Sequence, residues 1–216
     1  MSCAAIIVAA GSSRRMGFDK LAADLLGKSV LRRSVEAFMA AESISRVIVV
    51  APEERFAALG TDFAKPLLRA DGGAERQHSV ENGLALVTED IVAVHDGARP
   101  LVKAETIDAC IAAASEHQAA ALARQATETM KRSDDRHFAR ESVSRELLWF
   151  METPQVFVTE LLRKAYSAVR EKRLTVTDEV SAVEAIGIAT KLVISPTPNL
   201  KITVPADIEL AAALLR

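Results

Sequence analysis

Three short apolar runs, rich in β-branched residues, constrain the fold of this chain more than any other feature. They cover residues 4–9, 47–51 and 91–94 and are bounded by glycine, proline or charged residues. Short apolar runs of this kind are typical of parallel strands buried on both faces of a sheet. The sequence therefore predicts three central parallel strands.

Segments with helical spacing separate and follow these strands. The helix predicted over 30–41 follows Ser29, the one over 75–86 follows a pair of glycines, and the one over 106–115 follows Pro100. Because strands and helices alternate, right-handed βαβ units are expected. We therefore predict an α/β fold with a Rossmann-like, mainly parallel sheet flanked by helices.

A polar stretch over residues 124–148 interrupts the alternation. Its centre, 131–137, is dense in charge, and short segments on both sides suit strands. We predict an inserted two-stranded β-arm within a single domain over 1–216. An isolated two-stranded ribbon is barely stable in water, so we expect the arm to pack on a second subunit of a homodimer. The predicted elements beyond the arm are a strand at 155–158, helices at 160–170 and 178–185, a strand at 190–194 and a helix at 206–215.

Composition excludes several classes of partner. The 27 Lys and Arg residues nearly balance 29 Asp and Glu residues, which disfavours a nucleic-acid-binding protein. Cys3 and Cys110 are too few for a zinc site or a disulfide-stapled secreted fold. The longest apolar run, 3–10, is far shorter than the roughly 18 residues of a membrane helix, and no Lys or Arg precedes it as in a signal peptide. We expect a cytoplasmic protein without a membrane or nucleic-acid partner.

A glycine-containing segment, residues 8–17, follows the first predicted strand. Exposed N–H groups in such a turn bind phosphate oxygens, and Arg15 and Lys20 add positive charge. The segment is not a Walker A loop, because five residues separate Gly11 from Gly17 where four are required, and it lacks G-x-G-x-x-G. An ordinary strand-to-helix turn with solvated arginines is the competing interpretation.

A second motif begins with the pair Gly72 and Gly73 and continues into a predicted helix. Arg76 and Ser79 lie three positions apart on one face of that helix, so both could contact one ligand. The competing interpretation is a glycine turn and a helix start, with Glu75 complementing the helix dipole.

The third motif, residues 94–100, ends an apolar strand. Ligands of open α/β sheets bind at this edge, where Asp96 is suited to Mg²⁺ and Arg99 to phosphate. His95 is a poor candidate for a Ser-His-Asp triad, because adjacent strand residues point to opposite faces and no nucleophile elbow precedes it. We interpret His95 as a buried structural histidine.

Together with four further motifs, these segments resemble the 2-C-methyl-D-erythritol 4-phosphate cytidylyltransferases of the non-mevalonate isoprenoid pathway. Seven motifs occur in register over essentially the whole chain. The chain departs from the family pattern at Val8, in place of proline, at Ser13, in place of glycine, and in having no proline before Lys20. The matching positions are 9–11, 15–16, 20, 72–73, 76, 79–80, 95–100, 129–132, 153–155, 177–179 and 199–203.

The resemblance implies the fold of nucleotide-diphospho-sugar transferases and a reaction that joins CTP to 2-C-methyl-D-erythritol 4-phosphate, with Mg²⁺ as cofactor and Asp96 as its ligand. It also implies a set of site residues. The cytidine nucleotide would contact Ala9, Ala10, Gly11, Gly73, Arg76 and Ser79. The triphosphate would lie among the catalytic cations Arg15, Lys20 and Lys201. The sugar phosphate would be held by Asp96, Arg99, Thr153 and Thr177, with Thr129 and Arg145 contributed by the arm of the neighbouring subunit.

The implied reaction needs no general base, because a phosphate monoester is already anionic near neutral pH; positioning and charge neutralisation supply the catalysis. Three alternatives remain open. The first is a ribitol 5-phosphate cytidylyltransferase or another sugar-phosphate nucleotidyltransferase. The second is a non-catalytic nucleotide-binding regulatory protein, which is disfavoured by the retained charged residues Arg15, Lys20, Asp96 and Lys201. The third is a dehydrogenase, disfavoured by the missing glycine motif.

Overall fold

The computed structural model describes residues 2–11 and 17–216, and these ranges form the strands and helices that follow. The strands are β1 (Cys3–Val8), β2 (Asp24–Leu25), β3 (Lys28–Ser29), β4 (Ile44–Val50), β5 (Leu67–Ala70), β6 (Ile91–Asp96), β7 (Ala119–Gln125), β8 (Met130–Ser133), β9 (Ala139–Val143), β10 (Trp149–Val158) and β11 (Lys191–Ile194). The helices are α1 (Val30–Ala40), α2 (Glu53–Ala57), α3 (Arg76–Leu84), α4 (Ala104–His117), α5 (Thr159–Glu171), α6 (Glu179–Glu184) and α7 (Ala206–Leu214). None of these seven helices is long and apolar enough to cross a bilayer.

Seven strands form one mixed, mainly parallel sheet in the order β11-β7-β10-β6-β1-β4-β5. Strand β1 pairs in parallel with β4 and β6, β5 pairs in parallel with β4, and β11 pairs in parallel with β7. Strand β10 alone runs antiparallel to its neighbours β6 and β7. The predicted α/β class and the three central parallel strands are confirmed.

The register of the central strands fixes where a site can form. Val8, the last residue of β1, pairs with Val50 at the end of β4 and with Asp96 at the end of β6. The three carboxyl ends therefore lie side by side. The loops that follow them open at one edge of the sheet, where ligands of such folds bind.

Helices cover both faces of the sheet, as an apolar strand with two buried faces requires. Ile6 and Ile7 are both fully buried but belong to opposite hydrophobic clusters, because successive strand residues point to opposite faces. Phe38 of α1 packs in the cluster of Ile7, and Tyr166 of α5 packs in the cluster of Ile6. The sheet is thus packed between two helical layers.

The inserted arm is a separate antiparallel pair formed by β8 and β9. Asp134 organises its turn, since Oδ1 accepts hydrogen bonds from the backbone N–H groups of Arg136 and Phe138, each at 3.0 Å. The arm exposes large apolar side chains: Phe138 is 61% exposed and Leu147 is 80% exposed. The predicted two-stranded arm is confirmed.

Candidate functional site

A cavity of about 520 Å³ lies at the carboxyl ends of β1 and β6. Its lining combines small residues on one side with charged side chains on the other. The residues are Val8, Ala9, Ala10, Gly11, Lys20, Leu21, Gly73, Ala74, Glu75, Arg76, Ser79, Asp96, Gly97, Ala98, Lys201 and Thr203.

The small-residue side depends on a close approach of two backbone segments. A Cβ atom added at Gly72 would lie 2.5 Å from Cβ of Ala10, so only glycine fits there. The hydroxyl of Ser79 then fixes the turn, because its Oγ accepts a hydrogen bond from Gly73 N at 3.0 Å and donates one to Glu75 O at 3.2 Å. The result is a narrow apolar slot bounded by backbone.

The charged side is centred on Asp96, which is only 9% exposed. Oδ2 of Asp96 accepts a hydrogen bond from Nζ of Lys201 at 2.7 Å, Oδ1 accepts one from Nη2 of Arg76 at 3.3 Å, and Nε of Arg99 lies 3.8 Å from Oδ2. Burial alone raises the pKa of the Asp96 carboxyl, but the three cations lower it by more, so the pKa lies well below its usual range. Asp96 is therefore a fixed negative charge at neutral pH.

Arg76 lies between two carboxylates. Its guanidinium donates to both oxygens of Glu179, at 2.5 and 2.9 Å, and Glu179 is fully buried. The hydroxyl of Tyr166 donates a further hydrogen bond to Glu179 at 3.0 Å. Burial opposes the charge of Arg76, but the carboxylates of Glu179 and Asp96 raise its pKa above the usual value. Arg76 is thus a permanent cation in a fixed orientation.

His95 holds the backbone of Arg99 and the side chain of Thr153 next to Asp96. Burial lowers the pKa of His95 to about 4, so the imidazole is neutral. Its Nε2 lies 3.1 Å from the carbonyl of Arg99, which only accepts, so Nε2 carries the proton and donates. Nδ1 then accepts from the hydroxyl of Thr153 at 3.0 Å, while Thr153 Oγ1 accepts from Asp96 N at 3.1 Å. His95 is fully buried, as predicted.

Two lysines approach the cavity from the chain's opposite ends. Lys20 Nζ donates to the carbonyl of Ile202 at 2.7 Å across 182 positions. The adjacent Lys201 contacts Asp96, and the backbone N–H of Ile202 donates to Ala98 O at 2.8 Å. The C-terminal segment is therefore tied to the end of β6, which brings both lysines to one side of the cavity.

The IspD family model, that of the 2-C-methyl-D-erythritol 4-phosphate cytidylyltransferases, matches residues 3–216. The chain belongs to this family. A relative of that name from Caldanaerobacter subterraneus is 40% identical over 232 residues, and one from Bacteroides thetaiotaomicron is 40% identical over 228 residues, each alignment covering 100% of both chains.

Solved IspD structures agree with the fold. The crystal structure of the Francisella tularensis 2-C-methyl-D-erythritol 4-phosphate cytidylyltransferase is 30% identical, with a TM-score of 0.86 over 99% of this chain and 100% of that one. The Thermus thermophilus 2-C-methyl-D-erythritol 4-phosphate cytidylyltransferase is also 30% identical, with a TM-score of 0.83 over 99% and 98%. The likeness extends over the arm as well as the sheet.

The structure brings together most of the residues that resemblance to IspD implies. Thr153 lies directly beneath them, bonded to the backbone of Asp96. Arg99 is turned towards a neighbouring cavity of about 670 Å³, where its Nη1 donates to Asn199 O at 2.7 Å. The implied residues that line the first cavity are Ala9, Ala10, Gly11, Lys20, Gly73, Arg76, Ser79, Asp96 and Lys201.

Three other implied IspD residues lie elsewhere in the described part of the chain. Thr177 is exposed, with Oγ1 3.3 Å from Oγ of Ser181. Thr129 is exposed on the arm and lines neither cavity of its own chain. Arg145, also on the arm, donates a hydrogen bond to the carbonyl of Thr127 and likewise lines neither cavity. Arg15 lies outside the described residues.

Sequence reasoning missed the part played by Glu179. The residue stands in the matched motif at 177–179, so its position was noted, but no role was assigned to it. Its fully buried carboxylate holds Arg76 in place. Only the fold shows this contact, because 103 positions separate the two residues.

Proposed function

We propose that this protein transfers the cytidylyl group of CTP to 2-C-methyl-D-erythritol 4-phosphate. The products are 4-diphosphocytidyl-2-C-methyl-D-erythritol and pyrophosphate, in the synthesis of isoprenoid precursors. The observation that carries the proposal is full-length membership of the IspD family, together with a cavity in which Asp96 lies between Lys201 and Arg76.

The chemistry follows from the charges at the cavity. A phosphate oxygen of the substrate attacks the α-phosphorus of CTP, the new P–O bond forms, and the bond to the β-phosphate oxygen breaks so that pyrophosphate leaves in line. The attacking oxygen is already an anion, so no proton has to be removed. Lys20 and Lys201, with Arg15, neutralise the charge that builds up on pyrophosphate, which is the main catalytic contribution expected of fixed cations.

The two sides of the cavity suit the two parts of the nucleotide. The slot formed by Ala9, Ala10, Gly11 and Gly73 is narrow and backbone-lined, which suits a flat pyrimidine and its ribose. The cationic side suits the triphosphate. The sugar phosphate would then enter from the side of Arg99, which lines the neighbouring cavity.

A magnesium ion is the expected cofactor. In the described part of the chain no cluster of three or more His, Cys, Asp or Glu side chains could hold a metal alone. The donor set fits Mg²⁺ nonetheless, since this ion is commonly bound by one or two carboxylates together with substrate phosphates, and Asp96 supplies one carboxylate at the cavity. Bound there with the triphosphate, Mg²⁺ would neutralise phosphate charge.

We further propose a homodimer in which each arm completes the partner's site. The exposed apolar side chains of Phe138 and Leu147 support this, because a two-stranded ribbon has no core in which to bury them. Thr129 and Arg145 would then contact the sugar phosphate of the other subunit. The free, buried thiols of Cys3 and Cys110 accord with a reducing, cytoplasmic location.

The test is pyrophosphate release from CTP with a panel of phosphates at equal concentration. The names of the relatives favour the erythritol phosphate over ribitol 5-phosphate. We expect turnover with 2-C-methyl-D-erythritol 4-phosphate to exceed that with ribitol 5-phosphate by at least about 100-fold, the discrimination that a few polar contacts provide. Faster turnover with ribitol 5-phosphate would establish the alternative substrate, and release with no phosphate acceptor would refute the transfer.

A further inference from the structure

Arg55, in the short helix α2, contacts both ends of the segment that leads from β1 to Lys20. At one end its Nε and Nη2 donate hydrogen bonds to Oδ2 of Asp19, at 3.1 and 2.9 Å. At the other end Nη1 donates to the carbonyl of Ala9 and lies 3.5 Å from the carbonyl of Gly11. One guanidinium therefore bridges the start and the finish of this segment.

The neighbours of these contacts belong to the candidate site. Ala9 and Gly11 line the cavity, and so does Lys20, which follows Asp19 directly. Asp19 is itself held in the turn, because its Oδ1 accepts a hydrogen bond from Leu21 N at 3.1 Å. A shift at either end would move a cavity wall.

The burial of Arg55 shows that these contacts position the guanidinium. The Arg55 side chain is only 14% exposed, whereas no residue of α2 is buried. Phe56 packs α2 against the main hydrophobic cluster, and the polar contacts of Arg55 join the helix to the segment. A planar guanidinium donates in two directions at once, which a lysine ammonium cannot do with the same geometry.

We propose that Arg55 is a positioning residue of the nucleotide site, which holds the two ends of segment 9–20 at a fixed separation before the nucleotide binds. Because Arg55 already fixes the backbone at Ala9 and the turn beside Lys20, less conformational entropy of these cavity residues is lost when a nucleotide binds. Arg55 itself lines neither cavity. We call the contacts of Arg55 with Ala9 and Asp19 the clamp. The identity of the ligand rests on the proposed function, but the existence of the clamp does not.

The first test measures the clamp without using the enzymatic activity. The segment contains Arg14, Arg15 and Lys20, after which trypsin cleaves. The native full-length protein is digested briefly, and each cleavage is followed by mass spectrometry. In Arg55→Gln we expect cleavage in this segment to accelerate about tenfold, as for the loss of one charge-assisted hydrogen bond, relative to cleavage in the arm.

Arg32→Gln is the matched control. Arg32 likewise donates to a carbonyl, that of Leu59 at 2.6 Å, and to two carboxylates, those of Asp62 at 2.8 Å and Glu36 at 3.0 Å. It does not line the cavity. Cleavage of segment 9–20 should stay at the wild-type rate in Arg32→Gln. Equal rates in Arg55→Gln and the wild type would overturn the proposal.

The second test measures CTP binding by calorimetry. We expect the Kd for CTP to rise about tenfold in Arg55→Gln, to rise less in Arg55→Lys, and to stay unchanged in Arg32→Gln. Faster cleavage with an unchanged Kd would overturn the positioning role. If the wild type bound no CTP, the proposed function would fail, while the trypsin comparison would still decide whether Arg55 holds the segment.

Asp19→Asn covers the case in which Arg55→Gln does not fold. The asparagine Oδ1 can still accept from Leu21 N, so the turn is kept while the ion pair is lost. Cleavage of the segment should again accelerate, and adding Arg55→Gln to this variant should change the rate by less than it does in the wild type, because the two residues act through one contact. Independent, additive effects would contradict the clamp.

Discussion

Oδ2 of Asp96 lies 2.7 Å from Nζ of Lys201, although 105 positions separate the two residues in the chain. Asp96 is the last residue of strand β6, and Lys201 belongs to the C-terminal segment. When substrates bind, each of the two residues gains a competing partner. The triphosphate would attract Lys201, and Mg²⁺ would attract Asp96. We therefore expect this ion pair to open on formation of the ternary complex.

The first prediction concerns Asp96→Asn, which keeps the shape of the side chain but removes its charge. Turnover should fall by on the order of 100-fold or more, as for loss of one preorganised charged group. The measurement is pyrophosphate release across a Mg²⁺ titration, with Asp62→Asn, at an exposed ion pair, as control. Full activity of Asp96→Asn, or of the wild type in EDTA, would disprove this role of Asp96.

The parts of the fold that could be predicted are those in which local pattern and burial agree. The Ile- and Val-rich runs of β1, β4 and β6 predicted the centre of the sheet. Strand β7 was not predicted, because its run of alanines has low strand propensity and becomes a strand only through pairing with β10 and β11. The antiparallel direction of β10 is set by the path of the arm, which the sequence pattern does not encode.

The site divides in the same way. Glycines and charged residues that follow strands, such as Gly73 and Asp96, could be found from their positions. The ion pairs that these and other charged residues form could not be predicted. Glu179 pairs with Arg76 across 103 positions, and Arg55 pairs with Asp19 across 36. Such pairs depend on how the helices pack on the sheet, and no local pattern specifies them.

The second prediction concerns the cations near the triphosphate. Lys20→Ala and Arg15→Ala should each cost on the order of 3 kcal/mol of transition-state stabilisation, because negative charge builds up on pyrophosphate as it leaves. The loss should lower kcat more than it raises KM for CTP. Lys28→Ala, at an exposed ion pair with Glu36, serves as the control and should be near wild type. A change in KM alone would make Lys20 and Arg15 groups that bind substrate and transition state equally.

The third prediction concerns stability at acid pH. Burial lowers the pKa of His95 from 6.5 to about 4, so between these values the unfolded chain holds a proton that the folded chain lacks. The stabilisation is fully present above about pH 6.5 and is lost as the pH falls towards about 4, by on the order of 3 kcal/mol. Denaturant unfolding should show this loss in the wild type and a smaller loss in His95→Gln; equal losses would contradict it.

The fourth prediction concerns the arm. If Arg145 serves the partner's site, a mixture of Arg145→Ala and Arg15→Ala subunits forms heterodimers that contain one intact site each. Random exchange makes about half of the dimers mixed, so recovery of about a quarter of wild-type activity is expected from two nearly inactive variants. Subunit exchange is verified by native mass spectrometry. No recovery after verified exchange, or a fully active monomer, would mean that the arm acts within its own chain.

The most direct test of the central claim follows the phosphorus atoms of CTP. With CTP labelled at the α-phosphorus, the label should appear in a diphosphate joined to methylerythritol, and label placed at the γ-phosphorus should appear only in pyrophosphate. This is the result that attack on the α-phosphorus predicts. Transfer of the γ-label to the sugar phosphate, or α-label recovered only in free CMP, would contradict cytidylyl transfer.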